Sequence, residues 1–96
     1  MDTSLFIIDD DPAHHKLVES LIQHSCENIK YQSFFHASDA LVYILDNNEV
    51  EALPDVILLD LDMPSISGWG FIELFEAMSS SLAKPCYYSY LNRSTK

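Results

Sequence analysis

Two short apolar runs that each end in aspartate constrain this chain more than any other feature. Leu5-Phe6-Ile7-Ile8 is followed at once by Asp9-Asp10-Asp11, and Val56-Ile57-Leu58-Leu59 by Asp60-Leu61-Asp62. Continuous apolar runs without polar alternation suit strands covered on both faces, the condition of a parallel sheet flanked by helices. Pro12 fits the first turn of a helix, where its missing N–H is no loss, and Asp10 or Asp11 is placed to cap that helix. Leu17, Val18, Leu21 and Ile22 recur at helical spacing, so a helix is expected from about Pro12 to His24. Its other side carries Lys16, Glu19, Ser20 and Gln23.

A second strand is expected from Asn28 to Phe34. Ser38 then reads as an N-cap, with Asp39 in the first turn, where the helix dipole favours an anion. Leu41, Ile44 and Leu45 form that helix's apolar stripe, and Asn47-Asn48 ends it. An acidic connector, Glu49 to Leu53, closes on Pro54 before the Asp60 strand. Met63 to Gly68 is turn chemistry, and a third helix is expected from about Trp69 to Ser79 on Phe71, Ile72, Leu74, Phe75 and Met78. Ser79-Ser80-Ser81 loosens the chain before a fourth strand, Cys86 to Leu91. Alternating strands and helices imply an α/β fold with right-handed crossovers and helices on both faces of a parallel sheet. In such sheets the site lies beyond the carboxyl ends of the strands, where both acid clusters fall.

Length and composition narrow the function classes. Ninety-six residues make one domain, 1–96, and the 48% hydrophobic share argues against disorder. Fifteen acids against five bases give a formal charge of -10, which disfavours direct nucleic-acid binding. No run approaches the ~20 apolar residues a membrane span needs. Met-Asp-Thr-Ser puts an acid, not a basic region, ahead of the first apolar run, so a cytoplasmic start is expected rather than a signal peptide. Cys26 and Cys86 lack any CxxC pairing and read as reduced thiols.

Three carboxylates at neighbouring strand ends repel one another unless something neutralises them. Magnesium does so with oxygen ligands at roughly 2.1 Å, and it keeps positions for water and phosphate. Asp9, Asp10 and Asp60 therefore make a candidate magnesium site. An ionised Asp beside the ion can also attack phosphorus without a general base, because it has no proton to lose.

The segments Leu5 to Pro12 and Val56 to Gly68 resemble the two signature regions of the receiver domains of two-component response regulators. The resemblance spans most of the chain, from Leu5 to about Leu91. It implies a three-layer, flavodoxin-like parallel sheet in the strand order 2-1-3-4. It implies Asp60 as phosphoacceptor, Asp9 and Asp10 as magnesium ligands, and Asp62 offering its backbone carbonyl to the metal. A histidine kinase or phosphotransfer protein is the implied partner. Such a domain is a signalling device in phosphorelay transduction rather than a turnover enzyme.

Some features depart from the family. Its Ser or Thr at the end of the fourth strand would fall near Tyr90 or Leu91, and Ser89, Ser94 and Thr95 are out of register. Its Lys has no counterpart, because Lys84-Pro85 precedes the fourth strand. The family's fourth helix, fifth strand and fifth helix are missing from these residues. Losing a helix that buries about four large apolar side chains, at ~1.5–3 kcal/mol each, removes roughly 6–12 kcal/mol. That rivals a whole domain's stability of about 5–15 kcal/mol. The chain is therefore expected to be marginal alone, or to dimerise or swap elements through the exposed fourth-strand edge.

Two rival readings remain. A degenerate receiver would bind proteins without phosphate. Leu58-Leu59-Asp60-Leu61-Asp62 also resembles the first motif of haloacid-dehalogenase-type phosphatases, although that motif continues toward Gly-Thr rather than Met-Pro. His14 and His15 are expected on the solvated side of the first helix. Trp69 is expected to pack over the loop beside Gly68.

Overall fold

The structure is a computed structural model and describes residues 3–25, 28–60 and 68–91. Four strands, β1 (Thr3–Ile8), β2 (Ile29–Phe34), β3 (Val56–Asp60) and β4 (Tyr87–Leu91), alternate with three helices, α1 (Pro12–Gln23), α2 (Ala37–Asp46) and α3 (Gly68–Met78). A single 3-10 turn, Ser79–Ser81, follows α3. The sheet runs β2-β1-β3-β4 and every pairing is parallel. This is the flavodoxin-like order that the receiver resemblance implies.

Strand alternation separates the two faces. Phe6 and Ile8 of β1, Ile57 and Leu59 of β3, and Phe34 of β2 pack with Ala40, Leu41 and Ile44 of α2 and Phe71, Ile72 and Phe75 of α3. Aromatic rings knit this core. Phe6 lies 5.0 Å from Phe34 and 5.6 Å from Tyr43, while Phe71 and Phe75 stack at 5.7 Å. Leu5 and Ile7 point to the opposite face, where α1 lies, and both are buried. Ser33, which alternates with Phe34, donates there to Glu19 of α1 at 3.3 Å.

Several local expectations need correction. Asp11 caps α1, its carboxylate accepting from the Ala13 N–H at 2.9 Å. At α2, however, the cap position is His36 and Ser38 sits inside the helix, because the chain turns helical at Ala37, which is itself packed into the core. Val18 and Ile22 of α1 are half-buried, but Leu17 and Leu21 stay 59% and 64% exposed. The Glu19–Ser33 bond leans one flank of α1 toward β2, which puts Leu17 and Leu21 on the other flank, toward β3 and β4. No described residue covers that corner, so Val56 and Leu58 are only half-buried and Tyr87 is exposed. Leu45 and Leu74 also face outward rather than joining their helices' buried stripes.

At the amino end of the sheet, Asp55 fastens three segments. Its carboxylate accepts from the Ser4 N–H at 2.8 Å and from Lys84 Nζ at 2.9 Å, and its main-chain carbonyl accepts from the Tyr87 N–H. The Ser4 N–H first, and Lys84 second, hold the Asp55 carboxyl below its usual range. A depressed folded pKa contributes stability above the unfolded value, and that contribution disappears as pH falls through the folded one. Asp55→Asn should therefore lower the urea midpoint at neutral pH and leave it unchanged once the wild-type carboxyl is protonated. The carboxylate is partly exposed and screened, so the neutral-pH loss should stay below about 1 kcal/mol. An equal loss at both pH values would contradict this assignment. Nearby, burial pushes the Cys86 thiol up, which suits an inert cysteine; Cys26 lies outside the described residues.

Candidate functional site

Parallel pairing brings the acid clusters together. Ile8 of β1 stands opposite Leu59 of β3, so the next residues, Asp9 and Asp60, emerge side by side at the carboxyl ends of adjacent strands. Asp9 continues the β1–β2 ladder by donating its N–H to the Phe34 carbonyl at 3.0 Å. Asp60 remains within β3 and is 2% exposed; Asp9 is 5% exposed, and Asp10 is half-buried at the rim.

One carboxylate oxygen from each of Asp9, Asp10 and Asp60 lies within 4.8 Å of the others. Two ligands of a single magnesium ion, each about 2.1 Å from it, can stand at most roughly 4.2 Å apart. The spacing therefore needs only a small inward adjustment, and an all-oxygen donor set is the chemistry a hard cation takes. Of the candidate residues, Asp9, Asp10 and Asp60 converge. Asp62 lies outside the described residues.

Two histidines join this site, contrary to the solvated-helix expectation. His14 Nδ1 lies 2.9 Å from Asp9 Oδ2, and His14 Nε2 lies 3.7 Å from Asp11 Oδ2. His15 is 3% exposed, its ring stacked on Phe35 at 4.3 Å and its Nε2 2.6 Å from the Asp9 carbonyl oxygen. A helix that starts two residues after the clustered acids Asp9 and Asp10 carries its first turn back over them, which brings positions 14 and 15 to Asp9. The signal available in the sequence was helical spacing, since His15, Val18 and Ile22 share one side of α1.

The other family positions fall elsewhere. Leu91 stands opposite Asp60 across the β3–β4 pairing, with Tyr90 opposite Leu59. Lys84 is engaged with Asp55 at the far end of the sheet, away from the acidic cluster. Trp69, the second residue of α3, is 54% exposed; the loop it was expected to cover is outside the described residues.

A parallel sheet in the order 2-1-3-4 with three acids gathered at its carboxyl end defines a receiver-type domain. The sequence pattern of the response regulator receiver domain matches residues 5–85, and the chain belongs to that family of signalling domains. Solved structures agree on the fold. The phosphorylated cyanobacterial phytochrome response regulator RcpA superposes with a TM-score of 0.82 at 20% identity, over 100% of this chain and 69% of its own. A two-component response regulator from Cytophaga hutchinsonii gives 0.81 at 25% identity, over 100% and 71%. Another response regulator, in its manganese-bound form, gives 0.82 at 20%, over 98% and 68%. No curated protein matches the chain. Among the described residues, no helix is long and apolar enough to cross a membrane.

Proposed function

We propose that this chain is a phosphoacceptor receiver domain of the cytoplasm, in which Asp60 takes a phosphoryl group from a histidine kinase or phosphotransfer protein. Asp9, Asp10 and Asp60, with the main-chain carbonyl of Asp62, would hold magnesium. The observation that carries the proposal is the convergence of the Asp9 and Asp10 carboxylates on Asp60, a buried strand-end aspartate. The manganese-bound and phosphorylated forms of structurally similar regulators support it.

The chemistry follows from the carboxylate. An Asp60 oxygen attacks phosphorus in line, a new O–P bond forms, and the donor's P–N or P–O bond breaks with the electron pair leaving on the donor. A bound magnesium ion supplies charge neutralisation for the attacking and transferring oxygens. Asp9 and Asp10 would hold that ion beside Asp60 and need not move a proton.

A phosphate-independent binding module is the second reading. It is favoured by Leu91, which has no hydroxyl, opposite Asp60, and by the engagement of Lys84 with Asp55. Incubation with magnesium and a small acyl phosphate, followed by intact-mass measurement, separates the two. The expected result is one phosphoryl group per chain, lost with a chelator and lost in Asp60→Asn. A folded, magnesium-binding protein that never gains that mass would leave the second reading standing and overturn the first.

A further inference from the structure

We infer that His14 is a positioning residue for the acidic site, fixing the Asp9 carboxylate in the orientation that binds magnesium while His15 fixes the Asp9 main chain. The inference rests on the proposed magnesium site and adds to it two residues that the sequence placed on the solvated side of α1.

Each polar atom of Asp9 has its own partner. The N–H donates to the Phe34 carbonyl at 3.0 Å, and the carbonyl oxygen accepts from His15 Nε2 at 2.6 Å. Oδ1 accepts from the Asp11 N–H at 2.9 Å, and Oδ2 accepts from His14 Nδ1 at 2.9 Å. A carboxylate and a carbonyl only accept, so Nδ1 of His14 and Nε2 of His15 are the donors in these two bonds.

The consequence for the site is geometric. A carboxylate held at both oxygens cannot rotate about its last bond, yet each oxygen retains a lone pair for a metal or a metal-bound water. Asp11 is meanwhile committed to capping α1 through the Ala13 N–H. The run of three aspartates is thereby divided, with Asp11 serving the helix and Asp9 and Asp10 serving the site. His15, buried against Phe35, cannot leave without opening α1 from the end of β2. His14 is more exposed, and its close contact is the 2.9 Å bond to Asp9, with the capping Asp11 farther off at 3.7 Å, so its contribution should fall mainly on the site rather than on the fold.

A purely structural role predicts the opposite distribution of effects, and calorimetry separates the two. Magnesium chloride is titrated into the full 96-residue chain as wild type, His14→Ala, His14→Asn and Asp10→Asn, with metal-free urea unfolding of each. Removing a hydrogen-bond partner of a metal ligand weakens binding about 10–100-fold. His14→Ala should show that loss with an unchanged unfolding midpoint. His14→Asn, whose amide nitrogen superposes on Nδ1, should recover most of the affinity. Equal or tighter binding by His14→Ala, or a loss that His14→Asn does not recover, overturns the positioning role. If the wild type itself binds no magnesium, or Asp10→Asn binds as well as wild type, the metal-site reading falls first and takes this inference with it.

Discussion

Phe6→Ala is expected to lower the free energy of unfolding by about 3–5 kcal/mol, the range found when large aromatic side chains are cut from packed cores. Phe6 is 2% exposed on the central strand β1, and its ring meets Phe34 of β2 and Tyr43 of α2. Removing it opens a void between two strands and a helix, and neither ring can fill it without leaving its own contacts. A domain of this size has about 5–15 kcal/mol in hand, so the variant should be substantially unfolded in modest urea. Circular dichroism across a urea series measures this directly. A loss below about 1 kcal/mol would show that the core collapses around the site more readily than its packing implies.

Asp60→Asn should act in the reverse direction when no metal is present. With oxygens as far as 4.8 Å apart and an effective dielectric near 20, each pair of charged carboxylates repels by about 3.5 kcal/mol. Neutralising Asp60 removes two of the three pairs while keeping the side chain's shape. Relaxation and water absorb part of that energy, leaving an expected gain of roughly 1–3 kcal/mol. At ~4–8 °C per kcal/mol for a chain of this length, the melting temperature should rise clearly. Magnesium should narrow the gap, because only the wild type gains strongly from binding by mass action. An Asn variant that melts below the wild type in chelator would refute a crowded, mutually repelling cluster.

The parallel core and the three-acid site were legible because they depend on runs and ends. Leu5 to Ile8 and Val56 to Leu59 announce buried strands by their continuity, and an Asp directly after each falls at the same edge of a parallel sheet. Helix faces were harder. Periodicity identified Leu17, Leu21, Leu45 and Leu74 as apolar, yet all four are exposed, because spacing cannot say which flank of a helix meets a neighbour. Ser38 resembled a cap on local preference, whereas the packing of Ala37 decided where α2 begins. His14 and His15 were expected on the solvated side of α1, wrongly, for a related reason. Their partner is a strand-end residue, and the contact exists only once α1 folds back over the end of β1.

The two ends of the sheet form separate electrical compartments. Asp55 and Asp60 bracket β3, five residue steps or about 16 Å apart along an extended strand. Over that distance and an effective dielectric near 20, two unit charges interact by only about 1 kcal/mol, so whatever charge arrives at or leaves Asp60 is weakly felt by the Lys84–Asp55 pair. Modification at one pole can therefore alter that rim while the latch at the opposite pole keeps β1, β3 and β4 in register.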